Sequence, residues 1–320
     1  MALTLQIILF LVGLALIVFG ADWLVDGASS VARKFGISEF VIGLTIVGMG
    51  TSAPEMVVSF LGAIQGNADI AVGNVFGSNI FNTLLILGVT AAIMPMPITR
   101  ENLRRDIPLN LGVIILLVLL GATHRLTGFG DDILSRLDGG ILLAIFLVYM
   151  FFSFKNGKKE EDDSPAGKTL KPWVAGLMIV AGLAALIGGG QMFVNSATAI
   201  AKSLGISDKF IAITILAGGT SMPELATCVM AAIKKKGQLA LGNILGSNIF
   251  NIMLILGGSA LIHPLSFASM SLVDMGVLLL SGLLLVASAY MGKKNMLDRF
   301  DGAVFLLCEA AYFTWLCINL

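Results

Sequence analysis

Gly50-Thr51-Ser52-Ala53-Pro54-Glu55 is followed, 169 residues later, by Gly219-Thr220-Ser221-Met222-Pro223-Glu224. At the same offset, Gly73-Asn74-Val75-Phe76-Gly77-Ser78-Asn79-Ile80-Phe81-Asn82 returns as Gly242-Asn243-Ile244-Leu245-Gly246-Ser247-Asn248-Ile249-Phe250-Asn251. A weaker match, Arg136-Leu137-Asp138-Gly139 against Arg299-Phe300-Asp301-Gly302, lies near the end of each half. Self-similarity at a fixed offset is read as an internal duplication. The halves are 1–154 and 172–320, joined by 155–171, and they are most alike over about 43–91 and 212–260.

The medium follows from composition. Hydrophobic residues make up 57% of the chain and charged residues 12%, with a mean hydropathy of +0.95. Apolar blocks of roughly twenty residues match a bilayer crossing. Ten spans are expected, near 4–27, 38–65, 69–94, 105–122, 133–153, 172–201, 207–233, 238–263, 272–291 and 301–318. With the N-terminus outside, the inner loops collect Arg33, Lys34, Arg100, Arg104, Arg105, Lys155, Lys158, Lys159, Lys168, Lys171, Lys234, Lys235, Lys236, Lys293, Lys294 and Arg299. Only Arg125, Arg136, Lys202 and Lys209 fall outside. That asymmetry sets both termini outside and makes 155–171, with its acidic run Glu160–Asp163, a flexible cytoplasmic linker. Five spans per half is an odd number, so the second half enters from the opposite side. The expected fold is an all-α membrane protein: two inverted five-helix repeats, with broken helices at the midplane. The localisation that follows is a plasma (inner) membrane, crossed many times.

Net charge is zero, which gives no reason to expect a nucleic-acid partner. Cys228, Cys308 and Cys317 fit neither a zinc site nor a redox pair and are expected to be small core residues. The first positive side chain is Arg33, so the first apolar block reads as a permanent helix rather than a signal peptide.

The repeated motifs carry the chemistry. Glu55 shares a helical face with Thr51 and Ser52, as Glu224 does with Thr220 and Ser221. Pro54 has no N–H and crowds the carbonyl of Gly50, so the helix is expected to kink there; Pro223 acts likewise on Gly219. Asn74, Ser78 and Asn82 lie four apart, as do Asn243, Ser247 and Asn251. Gly73, Gly77, Gly242 and Gly246 allow close backbone approach or local unwinding. Every candidate ligand is an oxygen, which suits Ca²⁺ or Na⁺ rather than zinc or copper. A carboxylate at mid-membrane costs about 2.5 kcal/mol or more, and no Lys or Arg lies within a span core to offset Glu55 or Glu224. Bound cations or protons must compensate. Elsewhere, Asp22 and Asp26 could guide ions or make capping and helix contacts, Glu309 has no evident partner, and His124 and His263 fall at span ends.

On these motifs the sequence resembles the calcium/cation antiporter superfamily, specifically its prokaryotic sodium/calcium exchanger-like members. The duplicated Gly-Thr-Ser-x-Pro-Glu and Gly-Asn-x-x-Gly-Ser-Asn-Ile-x-Asn segments are similar to that family's two alpha-repeats. The resemblance implies one calcium site and several sodium sites in a central cluster. Glu55 and Glu224 would be ligands shared by both ions. Thr51, Ser52, Thr220, Ser221, Ser78 and Ser247 would add hydroxyl or backbone oxygens, the carbonyls near Gly48 and Ala217 would complete the sodium sites, and Asn82 and Asn251 would sit in the central layer. Many relatives carry Asp where Asn251 stands; its absence argues against potassium coupling and leaves a formal site charge of −2.

The expected function is secondary antiport of Na⁺ against Ca²⁺ by alternating access, with both ions as substrates, no cofactor and no enzyme activity. A proton/calcium antiporter, a cation channel and an intramembrane protease are the rival readings. Sodium dependence separates the first, flux without a counter-ion gradient the second. The protease reading lacks a place for attacking water and peptide. A duplicated, self-contained site needs no second chain, so a monomer in the lipid bilayer is expected.

Overall fold

The computed structural model describes residues 3–156, 170–205, 217–291 and 295–319. Most of the 155–171 linker, Lys209, Thr214, Ile215, Lys293 and Lys294 lie outside the described residues.

The chain is built of helices: α1 (Leu3–Phe35), α2 (Glu39–Thr51), α3 (Ala53–Ile64), α4 (Ala68–Ile93), α5 (Ile107–Gly121), α6 (Arg136–Asn156), α7 (Pro172–Ser203), α8 (Met222–Ile233), α9 (Gly237–Ile262), α10 (Leu272–Met291) and α11 (Arg299–Asn319). Among the described residues, seven are long and apolar enough to cross a bilayer, or eight if α2 and α3 form one bent span. Two further apolar helices are shorter. α5 has 15 residues and follows a π-helical turn at Asn102–Asp106; α8 has 12, and most of its expected upstream half falls in the stretch outside the described residues.

α9 lies at the centre. Its apolar window is 94% buried, against 22% for α1 and for α11, whose outer faces are left for lipid. Glycine lets it pack tightly on α2. A side chain at Gly242 would strike the carbonyl of Phe40, and one at Gly246 the carbonyl of Leu44. Close approach is the outcome at Gly242 and Gly246 but not at Gly73 or Gly77, where an added Cβ would meet only the end of Met270 or open space. Unwinding occurs at none of the four, since the helices run continuously through them. A π-helical segment follows in each half, at Asn82–Ile86 and Asn251–Leu256. Such wide turns concentrate at functional sites.

α1 and α7 pack side by side and antiparallel. A Cβ added to Gly13, Gly20 or Gly27 would fall 2.9, 2.8 or 2.8 Å from the carbonyl oxygens of Gly189, Gly182 and Ala175. The contacts repeat every seven residues, about two helical turns, so backbone meets backbone along the pair. Each helix is about 50 Å long at 1.5 Å per residue, which exceeds the roughly 30 Å hydrocarbon layer and requires tilt.

Two antiparallel ribbons stitch the halves together: Met96–Pro97 with Met296–Leu297, and Ile133–Leu134 with Leu265–Ser266. Helix starts are capped by side chains. Asp138 Oδ2 accepts from the Ser135 N–H and hydroxyl at 2.8 and 2.6 Å, and Asp274 Oδ2 from those of Ser271 at 2.9 and 2.7 Å. Of the cysteines, Cys228 is fully buried, Cys308 is half-buried against the core and Cys317 is exposed near the end of α11, so the core expectation fails at Cys317.

Candidate cation site

The site is made by two chain breaks. Pro54 is placed at the second position of α3, where its missing N–H costs nothing, and α2 meets α3 at a 50° bend centred on Ser52 (φ −81°, ψ 9°). Ser221 (φ −86°, ψ 5°) has nearly the same geometry ahead of Pro223 in α8. Glu55 and Glu224 therefore occupy the first turn after each break, and both are 1% exposed.

The two halves complete each other. Ser52 donates to Glu224 Oε1 at 2.8 Å, and Ser221 donates to Glu55 Oε1 at 3.2 Å. Ser78 and Ser247, one in each half, approach the same oxygens at 3.5 Å: Ser78 that of Glu55, Ser247 that of Glu224. Each carboxylate is thus held by a hydroxyl of its own half and one from the other. The second oxygens, Glu55 Oε2 and Glu224 Oε2, are buried and accept nothing. No ion pair among the described residues touches either carboxylate.

Beside them lies an amide layer. Asn82 donates to Asn248 Oδ1 at 3.2 Å and Asn251 to Asn79 Oδ1 at 3.0 Å, again matching positions of the two halves. Asn79 also donates to the Asn248 carbonyl at 3.3 Å, and Asn248 to the Thr83 hydroxyl at 2.8 Å. Asn82 Oδ1 and Asn251 Oδ1 remain buried without a donor. The structure thus leaves four unanswered acceptor oxygens on matched residues: two carboxylate and two amide. Buried acceptors rarely go unpartnered, and a desolvated cation is what such oxygens can coordinate.

The remaining expected residues surround this core. Gly48 offers its carbonyl to the Ser247 hydroxyl at 3.3 Å and to Thr51 at 3.4 Å; Thr51 also reaches Asn243 Oδ1 at 3.2 Å. Ala217 opens the short helical turn Ala217–Gly219. Thr220 lines a cavity of about 270 Å³ shared with Pro54, Val58, Asn74, Gln191 and Pro223. Asn79 and Asn248 are site residues that the spacing argument misses, although both sit inside the repeated Gly-Ser-Asn motif. Asn74 does more than share a face with Ser78 and Asn82. It donates to the Glu55 carbonyl at 3.2 Å and to Ser59 at 3.0 Å, which steadies the turn bearing the carboxylate.

Three other polar expectations resolve differently. Asp22 and Asp26 are engaged in ion pairs, each 2.7 Å from the Lys234 ammonium. Glu309 is buried on α11, a helix that packs on the Asn82–Ile93 stretch of α4, and its Oε2 has no partner. His124 and His263 are exposed at helix ends, as expected.

Known proteins resemble this chain along nearly its whole length. The family model described as sodium/calcium exchanger protein matches residues 5–155 and 174–318. The chain is 40% identical over 315 residues to the protein CaxA of Alkalimonas amylolytica, covering 95% of this chain and 96% of that one. It is 34% identical over 344 residues to the sodium/calcium exchanger MaX1 of Methanosarcina acetivorans, covering 97% and 98%. Among solved structures, the sodium-calcium exchanger NCX_Mj soaked with zero Na⁺ and Ca²⁺ superposes with a TM-score of 0.85 at 33% identity, covering 98% of this chain and all of that one. The chain is a membrane protein with several spans, and it belongs to the sodium/calcium exchanger family.

Proposed function

We propose that this chain exchanges Na⁺ for Ca²⁺ across a plasma (inner) membrane by alternating access at one shared site. The observation that carries the reading is the set of four orphan oxygens, on Glu55, Glu224, Asn82 and Asn251, in a core with no opposing cation among the described residues. Two carboxylates supply a charge of −2, which balances one Ca²⁺. Ca²⁺ takes six to eight oxygens. Beyond the four orphans, the hydroxyls of Ser52, Ser221, Ser78 and Ser247, those of Thr51 and Thr220, and the carbonyls of Gly48 and Ala217 bring the number within reach.

The two ions compete because the same carboxylates serve both. A filled site has little net charge, whereas an empty one leaves two carboxylates uncompensated at the midplane, at about 2.5 kcal/mol or more each. The empty form therefore crosses poorly, and exchange prevails over leak. The proposed architecture has ten spans: the seven long helices, the bent α2–α3 pair, α5 and the span ending in α8, arranged as inverted halves 1–154 and 172–320. Both termini lie outside, and 155–171 is a cytoplasmic linker. The matched hydrogen bonds and matched ribbons support that symmetry. The chain is proposed to work as a monomer.

The test is ⁴⁵Ca²⁺ uptake into proteoliposomes loaded with Na⁺ and diluted into Na⁺-free buffer, beside K⁺-loaded controls. Uptake from Na⁺-loaded vesicles alone is expected. Equal uptake from both would overturn sodium coupling, and an imposed pH gradient would then separate proton exchange from a channel.

A further inference from the structure

The two halves differ where α1 and α7 meet the site helices. Lys234 caps the C-terminal end of α8. Its ammonium lies 2.7 Å from Asp22 and 2.7 Å from Asp26 of α1, and also donates to the Asp22 carbonyl at 3.2 Å. The repeat offset of 169 takes these three residues to Gln65, Gln191 and Asn195. Gln65 caps α3 just as Lys234 caps α8. There the ionic set is replaced by amides: Gln191 donates to Asn195 at 2.8 Å along α7 itself, and no hydrogen bond among the described residues joins Gln65 to α7. Packing follows the charge. α1 lies along α8, whereas α7 stands off from α3, with the 270 Å³ cavity between them reaching Pro54, Val58 and Thr220.

We infer that Lys234 with Asp22 and Asp26 is a latch that holds the α1 edge of the site shut, and that the neutral counterpart at Gln65, Gln191 and Asn195 leaves the α7 edge free to open. One ammonium at the end of α8 bridges two carboxylates on α1, so parting the two helices breaks both pairs at once. Released charges hydrate, and the pairs are partly exposed already, so the latch biases the opening equilibrium rather than freezing it. What the latch does for transport rests on the alternating-access reading; the latch itself does not need it.

Matched cysteine reporters test this without measuring flux. Val58 lines the open cavity, and its counterpart at the same offset, Thr227 on α8, is fully buried. In a background with Cys228→Ser, Cys308→Ala and Cys317→Ala, Val58→Cys is expected to react quickly with N-ethylmaleimide and Thr227→Cys slowly. Adding Lys234→Gln, or Asp22→Asn with Asp26→Asn, is expected to speed the Thr227→Cys reaction roughly fivefold, the ordinary worth of two partly exposed ion pairs. Installing Gln65→Lys, Gln191→Asp and Asn195→Asp is expected to slow the Val58→Cys reaction. An unchanged Thr227→Cys rate in both latch variants, or an unchanged Val58→Cys rate in the transplant, overturns the latch. If the cysteine-free chain fails to fold, hydrogen–deuterium exchange across 227–234 in otherwise native Lys234→Gln decides: faster exchange supports the latch and unchanged exchange overturns it. Labelling that follows the latch in a chain without sodium-driven calcium uptake would sink the exchange reading alone.

Discussion

Glu224→Gln keeps the volume of the side chain and removes one of two buried negative charges, so its effects should differ in sign with and without calcium. With Ca²⁺ bound, the substitution removes a charged ligand, worth about 1.5–3 kcal/mol. It also leaves a divalent ion facing a single carboxylate at mid-membrane, an imbalance of about 2.5 kcal/mol or more. Together these amount to roughly 4–5 kcal/mol, or about a thousandfold loss of Ca²⁺ affinity. Without ions the balance reverses. Glu224 Oε2 is buried with no donor and no positive partner among the described residues, so the neutral amide relieves an uncompensated charge and the ion-free protein should melt at a higher temperature. Calorimetric Ca²⁺ titration and thermal denaturation in detergent read both signs. Ca²⁺ at about a hundred times its dissociation constant should stabilise the native chain by roughly 2.7 kcal/mol and raise its midpoint by roughly 5–10 °C. The variant should show almost no response at that concentration. Ca²⁺ affinity within about tenfold of the parent would refute the assignment of Glu224, since no ligand charge would then have been lost.

Other substitutions probe the surroundings. Ser52→Ala and Ser221→Ala each delete a hydroxyl that reaches the carboxylate of the opposite half, and each should weaken Ca²⁺ binding about fivefold. Calcium titrations showing one variant silent and the other inactive would break the proposed equivalence. Gly182→Leu should lower the thermal midpoint through overpacking of about 1–3 kcal/mol, because even a Cβ there lies 2.8 Å from the Gly20 carbonyl; an unchanged melt would mean the helices are not in backbone contact. Asp106→Ala removes an acceptor shared by Arg105 at 2.8 Å, Tyr149 at 3.0 Å and Asn102 at 3.2 Å. Stranding buried donors costs about 1–3 kcal/mol apiece, so a clear fall in the melting temperature should follow, and Asp106→Asn should recover part of it.

The sequence exposes much of this site because its chemistry is written twice. Glu55 and Glu224 pair on sequence alone, since the same hydroxyls and proline surround each, and the rule that proline breaks a helix places the bend at Ser52. Tertiary partnerships are another matter. Asn79 and Asn248 lie within the repeated motif, yet their value comes from pairing across the halves with Asn251 and Asn82, which spacing along one helix does not predict. The π-helical segments have no local sequence signature to separate them from ordinary apolar helix. The role of Asp22 and Asp26 depends on Lys234, more than two hundred positions away, so the pattern of their own helix carries no trace of their electrostatic partner. In the same way, the glycines of α1 and α7 are legible as small residues, but not as meeting one another.

In the proposed exchange cycle, those glycine contacts bear on how strictly the two ions are coupled. With backbone against backbone at three levels, α1 and α7 are packed so closely that neither can slide along the other without a clash. If the pair moves as one beam in the proposed alternating-access cycle, lifting one end presses down the other. Two simultaneous openings, which would turn an exchanger into a pore, would then require the beam to split lengthwise. Protection against short-circuiting the ion gradients would thus reside in a seam of the smallest side chains, one that runs past Asp22 and Asp26 on α1.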